Sequence, residues 1–109
     1  MNYVPEQGDI VWLDFNPQSG HERKERRPAI VISNDFFNLR TGLSLVGPIT
    51  SSMRNYPLHV SMSGCQTISG FIMAEQIKSI DYISRNADFI EKAPEELLNE
   101  VLSILHACL

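Results

Sequence analysis

The sequence predicts a mainly β fold with a C-terminal α-helix, a small β-barrel of short strands capped by that helix. Three observations lead there. Five or more short runs of β-branched and aromatic residues follow one another at close intervals, separated by turn signals. The final segment instead carries apolar side chains at helical spacing. The chain of 109 residues, 43% hydrophobic and 20% charged, is enough for one modest core, so residues 1–109 are expected to form a single domain.

Taken in order, Asp9–Phe15 is rich in β-branched and aromatic residues and stops at the Asn16-Pro17 turn signal. Pro28–Ser33 is almost continuously apolar, as a central strand buried on both faces must be. Asp35 is placed to cap a short helical turn over Phe36–Leu39, closed near Gly42. Leu43–Gly47 reads as a strand that Pro48 ends or bends. Leu58–Met62 alternates apolar and polar residues, the mark of a half-exposed strand, and Ser63-Gly64 makes a turn. Gly70–Ala74 and Gln76–Ile80 are two β runs with a bend or bulge between them, and Asp88–Glu91 is a shorter strand. Pro94 suits a first helical position and Glu95 and Glu96 favour the positive end of the helix dipole. From Leu97 to Leu105 a wide apolar stripe predicts contact with the core or with a second copy, and its lack of basic flanks argues against a lipid surface.

No run approaches the roughly 20 apolar residues of a membrane span, and the N-terminus lacks the pattern of a signal peptide. A cytoplasmic protein is expected, with Cys65 and Cys108 as free thiols. H-E-x-x-H, a Walker loop, G-x-S-x-G and paired metal-spaced histidines are all missing, so neither a metal nor any other cofactor is expected. His59 and His106 read as surface residues, whereas His21 borders a basic segment. The chain carries −4 overall, yet Arg23, Lys24, Arg26 and Arg27 outnumber Glu22 and Glu25 between Gly20 and Pro28. That segment has a net of +2, leaving −6 for the rest. Such a cluster can bind phosphate locally while the acidic body repels indiscriminate wrapping of nucleic acid.

Two places remain for chemistry. Arg27 stands directly before the proline that opens the apolar run, which mounts it on a stiff part of a charged loop and pushes its backbone toward extended geometry. A guanidinium presents donors in a fork that matches two phosphate oxygens. Thr50, in Pro48-Ile49-Thr50-Ser51-Ser52, supplies a further donor if the two strand ends are neighbours.

Together the motifs resemble a known family. Y-V-P-E-Q-G-D-I-V-W-L-D-F-N-P-Q-S-G-H-E, R-R-P-A-I-V-I-S, G-P-I-T-S-S, Y-P-L-H-V and A-E-Q-I-K-S-I occur in register from Tyr3 to about Ile80, and A-P-E-E-L fits as well. In that order they resemble the MazF/PemK toxins, closest to the MazF branch. The resemblance implies an SH3-like β-barrel, a homodimer, metal-independent endoribonuclease activity on single-stranded RNA, and an acidic antitoxin partner. It matches Arg27 to the family's arginine before proline, Thr50 to its threonine after the third main strand, and Glu22 to an acidic residue with a proton-transfer role in some members. Close relatives carry a histidine where this chain has Arg26, so no acid–base role transfers to that position. The PemK branch's proposed Asp and Arg pair is replaced by Glu75 and Met73.

On this reading the RNA 2′-hydroxyl attacks the adjacent phosphorus and leaves a 2′,3′-cyclic phosphate. Arg27 stabilises the developing charge, Thr50 fixes a phosphate oxygen and Glu22 is the base. A guanidinium is a poor proton donor near neutrality, which favours electrostatic stabilisation over acid catalysis for Arg27. Arg23, Lys24, Arg26, Arg40 and Arg54 are candidate phosphate contacts, and Phe36, Phe37 or Tyr56 candidate stacking surfaces. Two other readings are a CcdB-like gyrase poison and a non-catalytic SH3-like binding module. The first acts through an aromatic-ended C-terminal helix, which His106-Ala107-Cys108-Leu109 does not match; the second needs no paired arginine and hydroxyl.

Overall fold

The computed structural model describes residues 3–15, 26–52 and 57–109. Seven strands are present among them: β1 (Asp9–Asp14), β2 (Arg26–Val31), β3 (Leu43–Thr50), β4 (His59–Ser61), β5 (Phe71–Met73), β6 (Lys78–Asp81) and β7 (Asp88–Lys92). Two α-helices accompany them, α1 (Asp35–Thr41) and α2 (Glu95–Cys108). The mainly β class with a C-terminal helix is therefore as expected. The sheet runs β4-β5-β3-β2-β1-β7, with β6 also on β3, and every described pairing is antiparallel. It is not a closed barrel: β4 and β7 stand at its two ends without pairing to each other.

The central hairpin follows from the sequence. Along β2, Ile30 joins one core cluster with Ile10, Ile49, Ile72, Leu97 and Val101, while Ala29 and Val31 join a second with Val11, Leu13 and Val46. Period-two alternation thus buries both faces, which explains why this run lacks polar interruptions. Helix α2 covers the first cluster with Leu97 and Val101, and its other apolar side chains pack around them. Burial of side chains of this size contributes about 1.5–3 kcal/mol each.

Four boundaries differ from expectation. Strand β2 begins at Arg26, because Arg26 and Arg27 pair with Asp14 and Leu13 of β1, so Arg27 is a strand residue. Asn34, rather than Asp35, caps α1: its side chain accepts from the Phe37 N–H at 2.9 Å, and Asp35 falls in the first turn. Gly42 closes that helix in the left-handed region at φ 75°, as its sequence position requires. Strand β3 continues through Pro48 to Thr50. On one side it pairs with β6 over Leu43–Val46 and with β5 over Ile49–Thr50, so Pro48 falls in the gap between partners, where a missing N–H disturbs the ladder least. A single 3₁₀ turn, Ala74–Gln76, carries the chain from β5 to β6 across that gap. Pro94 stands at the N-cap of α2, immediately before the helix.

Candidate active site

The register of β2 against β3 pairs Ala29 with Pro48. Carried two residues further, it sets Arg27 opposite Thr50. Both line one depression of about 240 Å³, with Pro28, Ile49, Ser51 and Ser69. The two strand ends are therefore neighbours, as the pairing of an arginine with a hydroxyl demands. Ile49 and Pro28 form a firm floor, because Ile49 belongs to the core and Pro28 pairs with Trp12. Arg27 is exposed and Thr50 half-exposed, so both can meet a ligand from solvent.

The Thr50 hydroxyl oxygen accepts from the Ser52 N–H at 3.1 Å. That bond orients the side chain and uses the oxygen as acceptor, which leaves its proton to donate. The depression thus combines a cation, a hydroxyl donor and the further hydroxyls of Ser51 and Ser69. This set suits an oxyanion with several oxygens, such as a phosphodiester.

Arg26 is placed differently. Strand alternation sends it to the opposite face from Arg27. Its guanidinium donates to Asp14 at 2.9 Å, to Asp88 at 2.6 Å and to the Asn86 carbonyl at 2.9 Å. Asp14 is almost fully buried and also accepts from the Asn86 side chain at 2.7 Å. A larger depression of about 690 Å³ opens here, and Arg26 on its lining is paired with Asp14 and Asp88.

Arg40 lies on α1, which follows the far end of β2 and precedes the start of β3. Its guanidinium sits 4.5 Å from the centroid of the exposed Phe36 ring, away from Arg27 and Thr50. Phe36 and Phe37 are equally remote from the depression, being on the same helix. Glu22, Arg23, Lys24, Arg54, His21 and Tyr56 lie outside the described residues. His59 and Glu75, at the end of β4 and in the 3₁₀ turn, are joined at 3.0 Å. Among the described residues no group of three or more His, Cys, Asp or Glu side chains is placed to hold a metal ion, and no helix is long and apolar enough to cross a membrane.

Sequence reasoning missed Ser69 and Gly70. Gly70 has φ 125°, and a β-carbon there would lie 2.2 Å from the Thr50 carbonyl oxygen. A glycine at the start of a β run is a signal for such close backbone approach.

An open antiparallel sheet backed by a C-terminal helix, with Arg27 and Thr50 lining one depression at an end of its central hairpin, defines a small β protein with a candidate site at that strand end. Residues 6–109 match the model of the PemK-like, MazF-like toxins of type II toxin–antitoxin systems, and the chain belongs to that family. It is 43% identical over 96 residues to the endoribonuclease toxin MazF of Escherichia coli (strain K12), covering 87% of this chain and 86% of the relative. It is 32% identical over 108 residues to the endoribonuclease PemK of Escherichia coli, with 95% and 81% covered. Among solved structures, the MazE–MazF complex (Form-II) from Deinococcus radiodurans superposes with a TM-score of 0.89 at 40% identity, covering 98% of this chain and 96% of that one.

Proposed function

We propose that this chain is the toxin of a toxin–antitoxin pair and an endoribonuclease that cleaves single-stranded RNA at particular sequences without a metal ion. The observation that carries the reading is the meeting of Arg27 and Thr50 across β2 and β3 at one depression. Family membership and relatives named as endoribonucleases at 32–43% identity support it.

The reaction breaks the bond from phosphorus to the 5′-oxygen. The 2′-hydroxyl of the preceding ribose attacks the same phosphorus, giving a 2′,3′-cyclic phosphate and a 5′-hydroxyl. The nucleophile belongs to the substrate, so the protein must take one proton, return another, and stabilise charge on the phosphorus oxygens. Arg27 stabilises that charge through its fork of donors, and Thr50 fixes a phosphate oxygen by a hydrogen bond from its hydroxyl, while the proton returned in the step goes to the departing 5′-oxygen. Glu22 takes the 2′-hydroxyl proton, a role supported by its match to the family's acidic residue. Arg23, Lys24 and Arg54 extend the phosphate-binding track, while Arg26 and Arg40 are engaged on other faces. An acidic antitoxin covering Arg27 would silence the site, and assembly as a cytoplasmic homodimer fits the family.

Incubation of the protein with single-stranded RNA in EDTA tests the reading. Cyclic-phosphate ends are expected, and intact RNA under conditions where the protein is folded would overturn it. Replacement of Glu22 by Gln should flatten the acidic limb of the pH–rate profile; an unchanged profile removes Glu22 from the mechanism.

A further inference from the structure

The depression has a wall that belongs to neither strand carrying Arg27 or Thr50. It is the segment from Gln66 to Gly70, which leads into β5 and places Ser69 at the rim. Ile68, in the middle of the segment, packs against the first core cluster. Two further anchors fix its main chain, one toward each end.

The first is Glu91 of β7. Its carboxylate accepts from three successive backbone N–H groups, those of Gln66 at 3.1 Å, Thr67 at 2.8 Å and Ile68 at 3.4 Å. Hydrogen bonds to the charged form, from Thr67 and then Gln66, hold the carboxyl below the usual range. Three N–H groups pointing at one anion also set the backbone conformation of the segment that bears them. The second anchor is Gly70. Its carbonyl accepts from the Met62 N–H at 3.0 Å, which ties the segment to the chain leaving β4. Its α-carbon lies against the Thr50–Ser51 main chain so closely that a β-carbon would stand 2.2 Å from the Thr50 oxygen, 3.1 Å from the Thr50 carbonyl carbon and 3.4 Å from the Ser51 α-carbon. All three of those atoms are main-chain atoms, so the obstruction cannot be relieved by a rotamer change. The φ of 125° excludes an ordinary L side chain independently of the space.

We propose that Glu91 and Gly70 are positioning residues of the cleavage site, holding the Gln66–Gly70 wall against the Thr50–Ser51 main chain so that the Thr50 hydroxyl is presented to the substrate phosphate beside Arg27. Neither residue lines the depression. Their effect passes through the main chain onto which Gly70 is packed. An error of an ångström in the placement of a reacting or stabilising group can cost about 10²-fold in rate, so a remote anchor can matter as much as a contact.

This inference rests on the cleavage reading above, and the test separates the two. Single-turnover cleavage of a short single-stranded RNA is measured for Glu91→Gln, Gly70→Ala, Thr50→Val and Arg27→Ala, and for Glu91→Gln and Gly70→Ala each combined with Thr50→Val. Circular dichroism and a thermal melt confirm folding at the assay temperature. Glu91→Gln is expected to lower kcat about 5–10-fold and Gly70→Ala about 10²-fold, with KM changed less than about twofold. In the Thr50→Val background each should lose less than about a further twofold, because groups acting through one another are not additive. A merely structural role would lower the melting temperature while leaving kcat of the folded protein intact. Unchanged kcat in folded Glu91→Gln, or full additivity with Thr50→Val, overturns the proposal. Should Gly70→Ala not fold, Glu91→Gln decides on the same two readouts. Full activity in Arg27→Ala would instead withdraw the cleavage site itself.

Discussion

The two ends of the β2–β3 pair place their polar groups differently. At the end that leads into and out of α1, Asn38 is fully buried and every side-chain polar atom has a partner. Its amide donates to the Pro5 carbonyl at 2.8 Å and the Ser33 carbonyl at 3.2 Å, and its oxygen accepts from the Ser33 hydroxyl at 2.5 Å. Ser33 in turn accepts from the Leu45 N–H, and the Tyr82 hydroxyl donates to the Asn38 carbonyl at 2.8 Å. At the other end Arg27 and Thr50 face solvent, and the hydroxyl oriented by Ser52 still has a proton to give. The Asn38 network is buried and hydrogen-bonded throughout, although the Ser44 hydroxyl nearby on β3 is buried without a partner.

The same lesson holds for adjacent residues. Arg26 and Arg27 are one chemical type at successive positions, and alternation alone divides them. One closes onto Asp14 and Asp88; the other lines the depression.

The comparison can be broken by experiment. The largest effect is expected from Arg27→Ala, which should lower the cleavage rate by about 10²–10³ with little change in melting temperature, since a transition-state donor is lost from an exposed position. Arg27→Lys should recover only part of it, because charge survives and the fork does not. Retained activity in the alanine variant would make the two ends alike after all. Next, Asn38→Ala should leave cleavage by the folded protein unchanged and cost about 2–3 kcal/mol in denaturant unfolding, as its buried partners lose their donors. Arg26→Gln should cost about 1 kcal/mol of stability and affect cleavage far less than Arg27→Ala, because Asp14 keeps only part of its partner set. A larger loss of cleavage than of stability would place Arg26 on the RNA side.

The smallest effect concerns pH. The folded-state pKa of Glu91 is depressed by the backbone bonds from Thr67 and Gln66. Its contribution is therefore complete above the unfolded carboxylate value of about 4.3 and is lost as pH falls through the lower folded value. Melts recorded from about pH 6 to about pH 3 should fall less steeply for Glu91→Gln than for the unaltered protein. Parallel curves would show that Glu91 contributes nothing through its charge.

Much of the scaffold was legible because its signals are local. The apolar run after Pro28 announced a strand buried on both faces, Gly42 closed a helix, and the stripe from Leu97 onward found the core. Strand ends were less legible. Arg26 and Arg27 read as loop because their charge hides that they pair with β1, and Pro48 read as an end or a bend because the gap between β5 and β6 is a property of partners. Arg27 and Thr50 were nameable as candidates from residue type and resemblance, but the wall beside them was not. Ser69, Gly70 and Glu91 lie far from Arg27 along the chain and carry no motif.

By itself, the sequence determined the strand and helix periods, the apolar core and the presence of one arginine stiffened by a following proline, all consequences of neighbours along the chain. Only the tertiary structure decided which arginine lines the depression, which serine reaches its rim and why residue 70 must be glycine. Those outcomes depend on strand register and on backbone approaching backbone, and both arise between segments distant in sequence.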